Sequence, residues 1–113
     1  LFLFPEIEVL HLSESGITND GLKNLTGLKR ITDLNLDGTS ITDEGLKNLS
    51  TLSSLQELNL ERTKVTDKGI QVLSVLKGLR GLSLYKTKVT QKGVDELKKK
   101  LPECYIDISG ESI

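Results

Sequence analysis

The sequence contains no alanine, no methionine and no tryptophan, and only 4% of its 113 residues are aromatic. Protein interiors usually mix large aromatic side chains with small fillers. Lacking both, this core has to be filled by one size of branched side chain used many times. Cysteine occurs once, as Cys104, so no internal disulfide can form. A small secreted domain normally leans on several, which favours an intracellular setting. Residues 1–5, Leu-Phe-Leu-Phe-Pro, are too short for a signal peptide and lack its basic start. No stretch approaches the ~20 apolar residues that a membrane span needs. Neither sign of charge dominates: 15 basic and 16 acidic side chains leave a net −1. That balance excludes a disordered charged tail and a strongly basic nucleic-acid binder.

What is present is leucine. Of 41 hydrophobic residues, 22 are leucine, 8 isoleucine and 6 valine. Their placement is periodic, with a step of 24 residues. Leu10, Leu34, Leu58, Leu82 and Ile106 form one column, and Leu12, Leu36, Leu60, Leu84 and Ile108 another. Ile17, Ile41, Val65, Val89 and Ile113 continue the pattern, as do Thr18, Thr42, Thr66 and Thr90. Gly21, Gly45, Gly69 and Gly93 follow, then Leu22, Leu46, Ile70 and Val94, then Leu25, Leu49, Leu73 and Leu97. No insertion breaks the step.

Two local patterns alternate inside each period. Residues 33–37, Asp-Leu-Asn-Leu-Asp, repeat every second position and predict a strand with one buried face. Residues 42–49 have helical spacing, with Thr42 as N-cap and Asp43 and Glu44 at the positive end of the helix dipole. Leu52 and Leu55 return the chain to the next strand. One strand per 24 residues, with a return leg between, predicts a right-handed parallel coil.

These segments resemble the leucine-rich repeat family, whose strand consensus is L-x-x-L-x-L-x-x-N-x-L. It stands here as Ile31-x-x-Leu34-x-Leu36-x-x-Thr39-x-Ile41, and again from Leu55 to Val65 and from Leu79 to Val89. Ser15, Thr39, Thr63 and Thr87 replace the family's Asn. That substitution is similar to the T-x-[IV]-T-D-x-G-L subclass of bacterial proteins and, with Cys for Thr, of F-box adaptors. The resemblance implies an α/β leucine-rich repeat solenoid, with a curved parallel sheet on the concave face and short helices on the convex face. It also implies that a ladder of these hydroxyls replaces the Asn ladder at the turn. A hydroxyl can donate one bond and accept another.

The single domain divides into a partial repeat at 1–7, repeats at 8–31, 32–55, 56–79 and 80–103, and a terminal strand at 104–113. Leu1, Phe4 and Ile7 fall in mid-repeat columns, so the chain reads as a fragment of a longer protein. At the other end Val94, Leu97 and Leu101 extend a helix, Lys98, Lys99 and Lys100 suit its dipole, and Pro102 stops it. The array is therefore expected to close near its C-terminus. Gly at the third helical position costs ~1 kcal/mol against Ala. The glycine column therefore predicts close backbone approach or positive φ at each bend. Cys104 reads as a small buried filler.

Between the strand leucines, side chains point outward on the concave face. One outward column is Val9, Asp33, Glu57, Gly81 and Tyr105, and the next is His11, Asn35, Asn59, Ser83 and Asp107. Two more follow: Ser13, Asp37, Glu61, Tyr85 and Ser109, then Glu14, Gly38, Arg62, Lys86 and Gly110. Asp33 is expected opposite Glu57, and Asp37 opposite Glu61, an unfavourable arrangement of like charges. Solvation with Arg62, a basic protein partner or a cation would each compensate. Charge is also split along the chain. Residues 1–60 hold 9 acidic and 4 basic side chains, a balance of −5, and residues 61–113 hold 7 acidic and 11 basic, a balance of +4. Tyr85 among Arg62, Lys64, Lys86, Lys88 and Lys92 has the composition of a binding anchor.

No Ser-His-Asp grouping, metal-ligand spacing or phosphate loop occurs, and His11 stands alone. The sequence therefore predicts a non-catalytic protein–protein interaction module with no cofactor, no nucleic acid and no membrane. Its partner-binding residues are His11, Asp33, Asn35, Asp37, Glu57, Asn59, Glu61, Arg62, Ser83, Tyr85 and Lys86. The runners-up are the substrate arm of an F-box-type ubiquitin-ligase receptor and a structural spacer. The spacer reading includes edge-to-edge self-association through Leu1 to Phe4 at the N-terminal edge.

Overall fold

The computed structural model describes residues 6–110. Leu1 to Phe4 lie outside the described residues. Five strands, β1 (Val9–His11), β2 (Asp33–Asn35), β3 (Glu57–Asn59), β4 (Gly81–Ser83) and β5 (Tyr105–Asp107), form one parallel sheet in chain order. Each residue pairs with the one 24 positions on: Leu10 with Leu34, Leu34 with Leu58, Leu58 with Leu82, Leu82 with Ile106. Helices return the chain: α1 (Asn19–Leu22), α2 (Asp43–Leu49), α3 (Asp67–Ile70) and α4 (Gln91–Lys100). Short 3₁₀ turns extend α1 through Lys23–Leu25 and α3 through Gln71–Val75. A strand, its turn and its helix make one coil, and there are four coils before β5. This is an α/β leucine-rich repeat solenoid, with the sheet on one side and the helices on the other.

The core is the inside of the coil. Leu36, Ile41, Leu46, Leu49, Leu52 and Leu55 are all fully buried, and they come from one turn of chain. The equivalent residues of the coil after it stack on them. Burying one such side chain contributes roughly 1.5–3 kcal/mol. Leu10, Leu12 and Ile17 in the first coil, and Ile106 in β5 and Ile108 just after it, are only partly buried because they have a neighbour on one side.

The strands are shorter than the sequence pattern predicts. In β2 the Asn35 Oδ1 accepts from the Asp37 N–H at 2.9 Å, and Asn59 does the same for Glu61 at 2.8 Å. Each Asn bends the chain out of the sheet two residues on. The next backbone position then enters the left-handed region in every coil: Glu14 (φ 55), Gly38 (φ 74), Arg62 (φ 54), Lys86 (φ 59) and Gly110 (φ 80). Glycine takes that conformation freely, whereas Glu, Arg and Lys take it at a cost of ~1 kcal/mol or more.

The threonines act differently from the expected ladder. Thr39, Thr63 and Thr87 each donate their hydroxyl to the carbonyl three residues back, all at 2.7 Å, so each serves its own turn. The contact between coils falls to another column. Asp43 Oδ1 accepts from the Thr66 N–H at 2.8 Å while its Oδ2 accepts from the Thr66 hydroxyl at 2.6 Å. Asp67 grips Thr90 in the same way, at 2.7 and 2.5 Å. Asn19 holds Thr42 through its Oδ1 at 3.0 Å and its Nδ2 at 2.8 Å. Thr42, Thr66 and Thr90 therefore occupy the N-cap position without capping through the side chain, because their hydroxyls point back to the previous coil. Thr18 alone accepts from its own helix, from the Gly21 N–H at 3.3 Å.

Three of the four glycines in the column follow from this clamp, while Gly21 is crowded by Ile17 instead. A Cβ on Gly69 would lie 2.0 Å from Asp43 Oδ1, one on Gly93 2.2 Å from Asp67 Oδ1, and one on Gly45 2.4 Å from Asn19 Oδ1. Of the two causes the sequence allows, close approach is the one realised.

Candidate functional site

The outward residues of the strands lie on an open sheet. His11, Asp33, Asn35, Glu57, Asn59 and Ser83 surround a depression of about 220 Å³ whose floor is the backs of Leu34 and Leu58. Six of the residues expected to bind a partner are thus brought together by β1 to β4. The other five, Asp37, Glu61, Arg62, Tyr85 and Lys86, stand just past the strand ends, where the chain turns toward the helices.

The structure shows how several of these side chains are already engaged. Asn35 and Asn59 spend their amide oxygens on the strand-ending turns, which leaves their NH₂ groups for a partner. Asp107 occupies the same column and accepts from the Ser109 hydroxyl at 2.8 Å and the Ser109 N–H at 2.9 Å. Those bonds, the hydroxyl first, hold its carboxyl below the usual carboxylate range.

Asp33 does stand opposite Glu57 in the register. Glu57, however, turns toward the next strand: a Cβ on Gly81 would lie 2.2 Å from its Oε1. The missing side chain at position 81 gives the Glu57 carboxylate somewhere to go. Asp37 is served by Arg62, whose Nη2 donates to its Oδ2 at 2.5 Å. The Asp37 side chain is only 15% exposed, against 45% for Arg62, and its Oδ1 is buried with no hydrogen-bond partner among the described residues. Asp37 therefore holds Arg62 in place more than it presents charge outward. Asp33, Glu57 and Glu61 form no ion pair among the described residues.

Tyr85 sits on the last full coil. Its ring covers Gly110, whose Cβ would fall 2.6 Å from the ring, and Lys86 Nζ lies 5.6 Å from the ring centre. That spacing is a cation–π contact. Cys104 is fully buried, and burial pushes its thiol up to about 11, tempered by Lys98 and reinforced slightly by Glu57. Among the described residues no group of three or more His, Cys, Asp or Glu is placed to hold a metal ion. No helix among them is long and apolar enough to cross a membrane.

Three features escaped the sequence reading: the Asn19, Asp43 and Asp67 clamp, the left-handed column, and the pairing of Glu57 with the space at Gly81. The first two left a signal. Asn or Asp recurs three times directly after a Thr and two residues before a Gly, and glycine twice occupies the left-handed column. Gly81 gave none, since it breaks its column only once.

Residues 7–25, 30–50 and 51–74, more than half of the chain, match the family model described as Leucine Rich repeat. Among solved structures, internalin C2 from Listeria monocytogenes is similar at 26% identity and a TM-score of 0.76. That match covers 93% of this chain and 42% of the internalin chain. A leucine-rich repeat protein of Leptospira interrogans is similar at 27% identity and a TM-score of 0.71, over 92% of this chain and 26% of that one. A second Listeria internalin, at 17% identity and a TM-score of 0.62, covers 96% of this chain and 36% of its own, and shares the fold. The chain spans less than half the length of each of these three proteins. No curated protein sequence matches it.

Proposed function

The chain belongs to the leucine-rich repeat family, and from that premise we propose that it is a non-catalytic module receiving a protein partner on its sheet face. Solenoids of this kind generally work as protein–protein interaction modules. The observation that carries the reading is the polar depression spanning four strands. Its two carboxylates, Asp33 and Glu57, are without ion-pair partners among the described residues. Around them the NH₂ groups of Asn35 and Asn59 have no partner among the described residues, and His11 and Ser83 close the ends. The partner that fits places a basic side chain over Asp33 and Glu57 and packs against Tyr85. Arg62, Glu61 and Lys86 then meet its periphery. The lone, buried Cys104 supports an intracellular setting.

The test is capture with this chain as bait, then titration of the identified partner against Glu57→Gln, Asn59→Ala and Tyr85→Ala. Anchors at the centre of an interface cost more than ~1 kcal/mol when truncated, so affinity falls by roughly fivefold or more. Unchanged affinity in all three variants sinks the sheet-face reading. A spacer would capture nothing, and an adaptor arm would capture a protein that the parent then delivers to a ligase.

A further inference from the structure

The loop edge that leads from each strand to the next helix changes sign halfway along the molecule. Three surface columns change together. The left-handed column runs Glu14, Gly38, Arg62, Lys86; the next runs Gly16, Ser40, Lys64, Lys88; the first helical turn runs Asp20, Glu44, Lys68, Lys92. The leucine columns beneath them keep one character throughout. The reversal therefore belongs to the surface, and it makes the third and fourth coils continuously basic along this edge.

Among the described residues no ion pair neutralises the lysines of that edge. In the first two coils Asp20 pairs with Lys23 at 3.2 Å and Glu44 with Lys47 at 3.1 Å, each within its own helix. In the last two, Gln71 and Asp95 stand at the matching positions, and Asp95 Oδ1 accepts from Gln91 at 2.9 Å. Lys64, Lys68, Lys86, Lys88 and Lys92 are all exposed, and none forms an ion pair among the described residues. Arg62 is the exception, since Asp37 holds it.

Two of these lysines are also placed against local preference. Lys92 lies in the first turn of the ten-residue α4, which has no acidic residue there, so it opposes the helix dipole. Lys86 has a φ of 59° where two other coils use glycine. The columns are held in register by backbone: the Lys64 N–H donates to Ile41 O at 3.0 Å and the Lys88 N–H to Val65 O at 3.1 Å. Neighbouring lysines thus sit about 5 Å apart, the separation of adjacent strands.

We propose that the loop edge of the third and fourth coils is a second docking surface, for an extended acidic segment of a protein. Such a segment presents a carboxylate every second residue, roughly 6.6 Å apart, within reach of flexible lysines on adjacent coils. Nucleic acid fits less well. The edge has one aromatic, Tyr85, and a single ring gives no platform for a run of stacked bases. An anionic membrane fits less well too, because no apolar side chain accompanies the lysines into a bilayer. This surface shares only Lys86 and Arg62 with the periphery of the sheet-face reading, and its test turns on Lys64 and Lys88, which that reading does not use.

The experiment follows a fluorescently labelled glutamate-rich peptide by anisotropy at low and physiological salt, with the glutamine version of the peptide as control. The glutamate peptide binds and the glutamine peptide does not, and the affinity drops as salt rises. Lys64→Glu with Lys88→Glu weakens binding by roughly tenfold or more, the scale of reversing two rim charges. Lys64→Gln with Lys88→Gln weakens it less, and Lys29→Gln, an exposed position on the first coil, leaves it unchanged. Circular dichroism confirms that these surface variants fold. Equal binding of both peptides, no response to either lysine pair, or tighter binding of an oligothymidine or of phosphatidylserine vesicles overturns the proposal.

Discussion

Asp43 holds Thr66 of the following coil with both carboxylate oxygens, Oδ1 on the backbone N–H and Oδ2 on the hydroxyl. The two residues are 23 apart in sequence. Their contact fixes where one coil's helix begins relative to the next. It also uses the Asp and Thr columns and requires the Gly column, because Gly69 leaves the room in which the carboxylate lies.

Asp43→Ala therefore destabilises the domain by about 2–3 kcal/mol, since it removes two bonds to a charged acceptor and leaves a partly buried N–H unpaired. Asp43→Asn costs about 1 kcal/mol or less, because Asn19 already serves Thr42 through an amide. Its residual cost is the lost charge at the start of α2. Urea unfolding of the three proteins measures the order. Equal losses for Ala and Asn would show that the charge, and not the two-pronged geometry, matters.

Gly69→Ala is expected to cost about 1–3 kcal/mol despite the better helix propensity of alanine, because its Cβ would occupy the position of Asp43 Oδ1. Part of that cost disappears when Asp43 is already alanine, because the carboxylate is gone while the Asp43 Cβ still lies 2.8 Å from the added one, so the double-mutant cycle shows a coupling of about 0.5–1 kcal/mol. Gly16→Ala is the control. A Cβ there meets nothing within 4 Å, and stability stays within about 0.5 kcal/mol.

Cys104 makes stability fall at alkaline pH. Burial raises the folded thiol from its ordinary 9.0 to about 11. Between those values the native state keeps a proton that the unfolded state has lost, so raising the pH favours unfolding. The thiol's contribution is complete below pH 9 and is lost as the pH passes through about 11. Unfolding midpoints across this window, compared with those of Cys104→Val, isolate it. A thiol-specific reagent reacts with the native protein only as fast as the protein opens.

The backbone plan was legible because it rests on columns. A slip of one residue would turn Leu34, Leu58 and Leu82 to solvent, so a 24-residue step in the leucines imposes the same step on the strand register. The ten-residue α4 was legible for the same reason, through Val94, Leu97, Leu101 and Pro102, as was β5 through Ile106. The candidate site was legible as a set of outward positions and not as a set of available groups. Asn35 and Asn59 were placed correctly on the face, yet half of each amide is used by the turn beneath it. Asp33 and Glu57 were placed opposite each other, yet Glu57 leans over Gly81.

The coil, its period and its buried face could be read from the chain alone, since each follows from burying leucine at regular intervals, and so could the change of sign along the surface, which lies in the order of the exposed charges. Tertiary structure decided which polar groups are spent and on what. Thr66 reads as a helix cap within its own segment and becomes a ligand of Asp43 only when the previous coil lies beside it. Arg62 reads as a compensating charge near both acidic pairs, and only the turn at its left-handed backbone assigns it to Asp37. Both outcomes depend on contacts between residues a full coil apart, and local preference carries no information about those until the coil has closed.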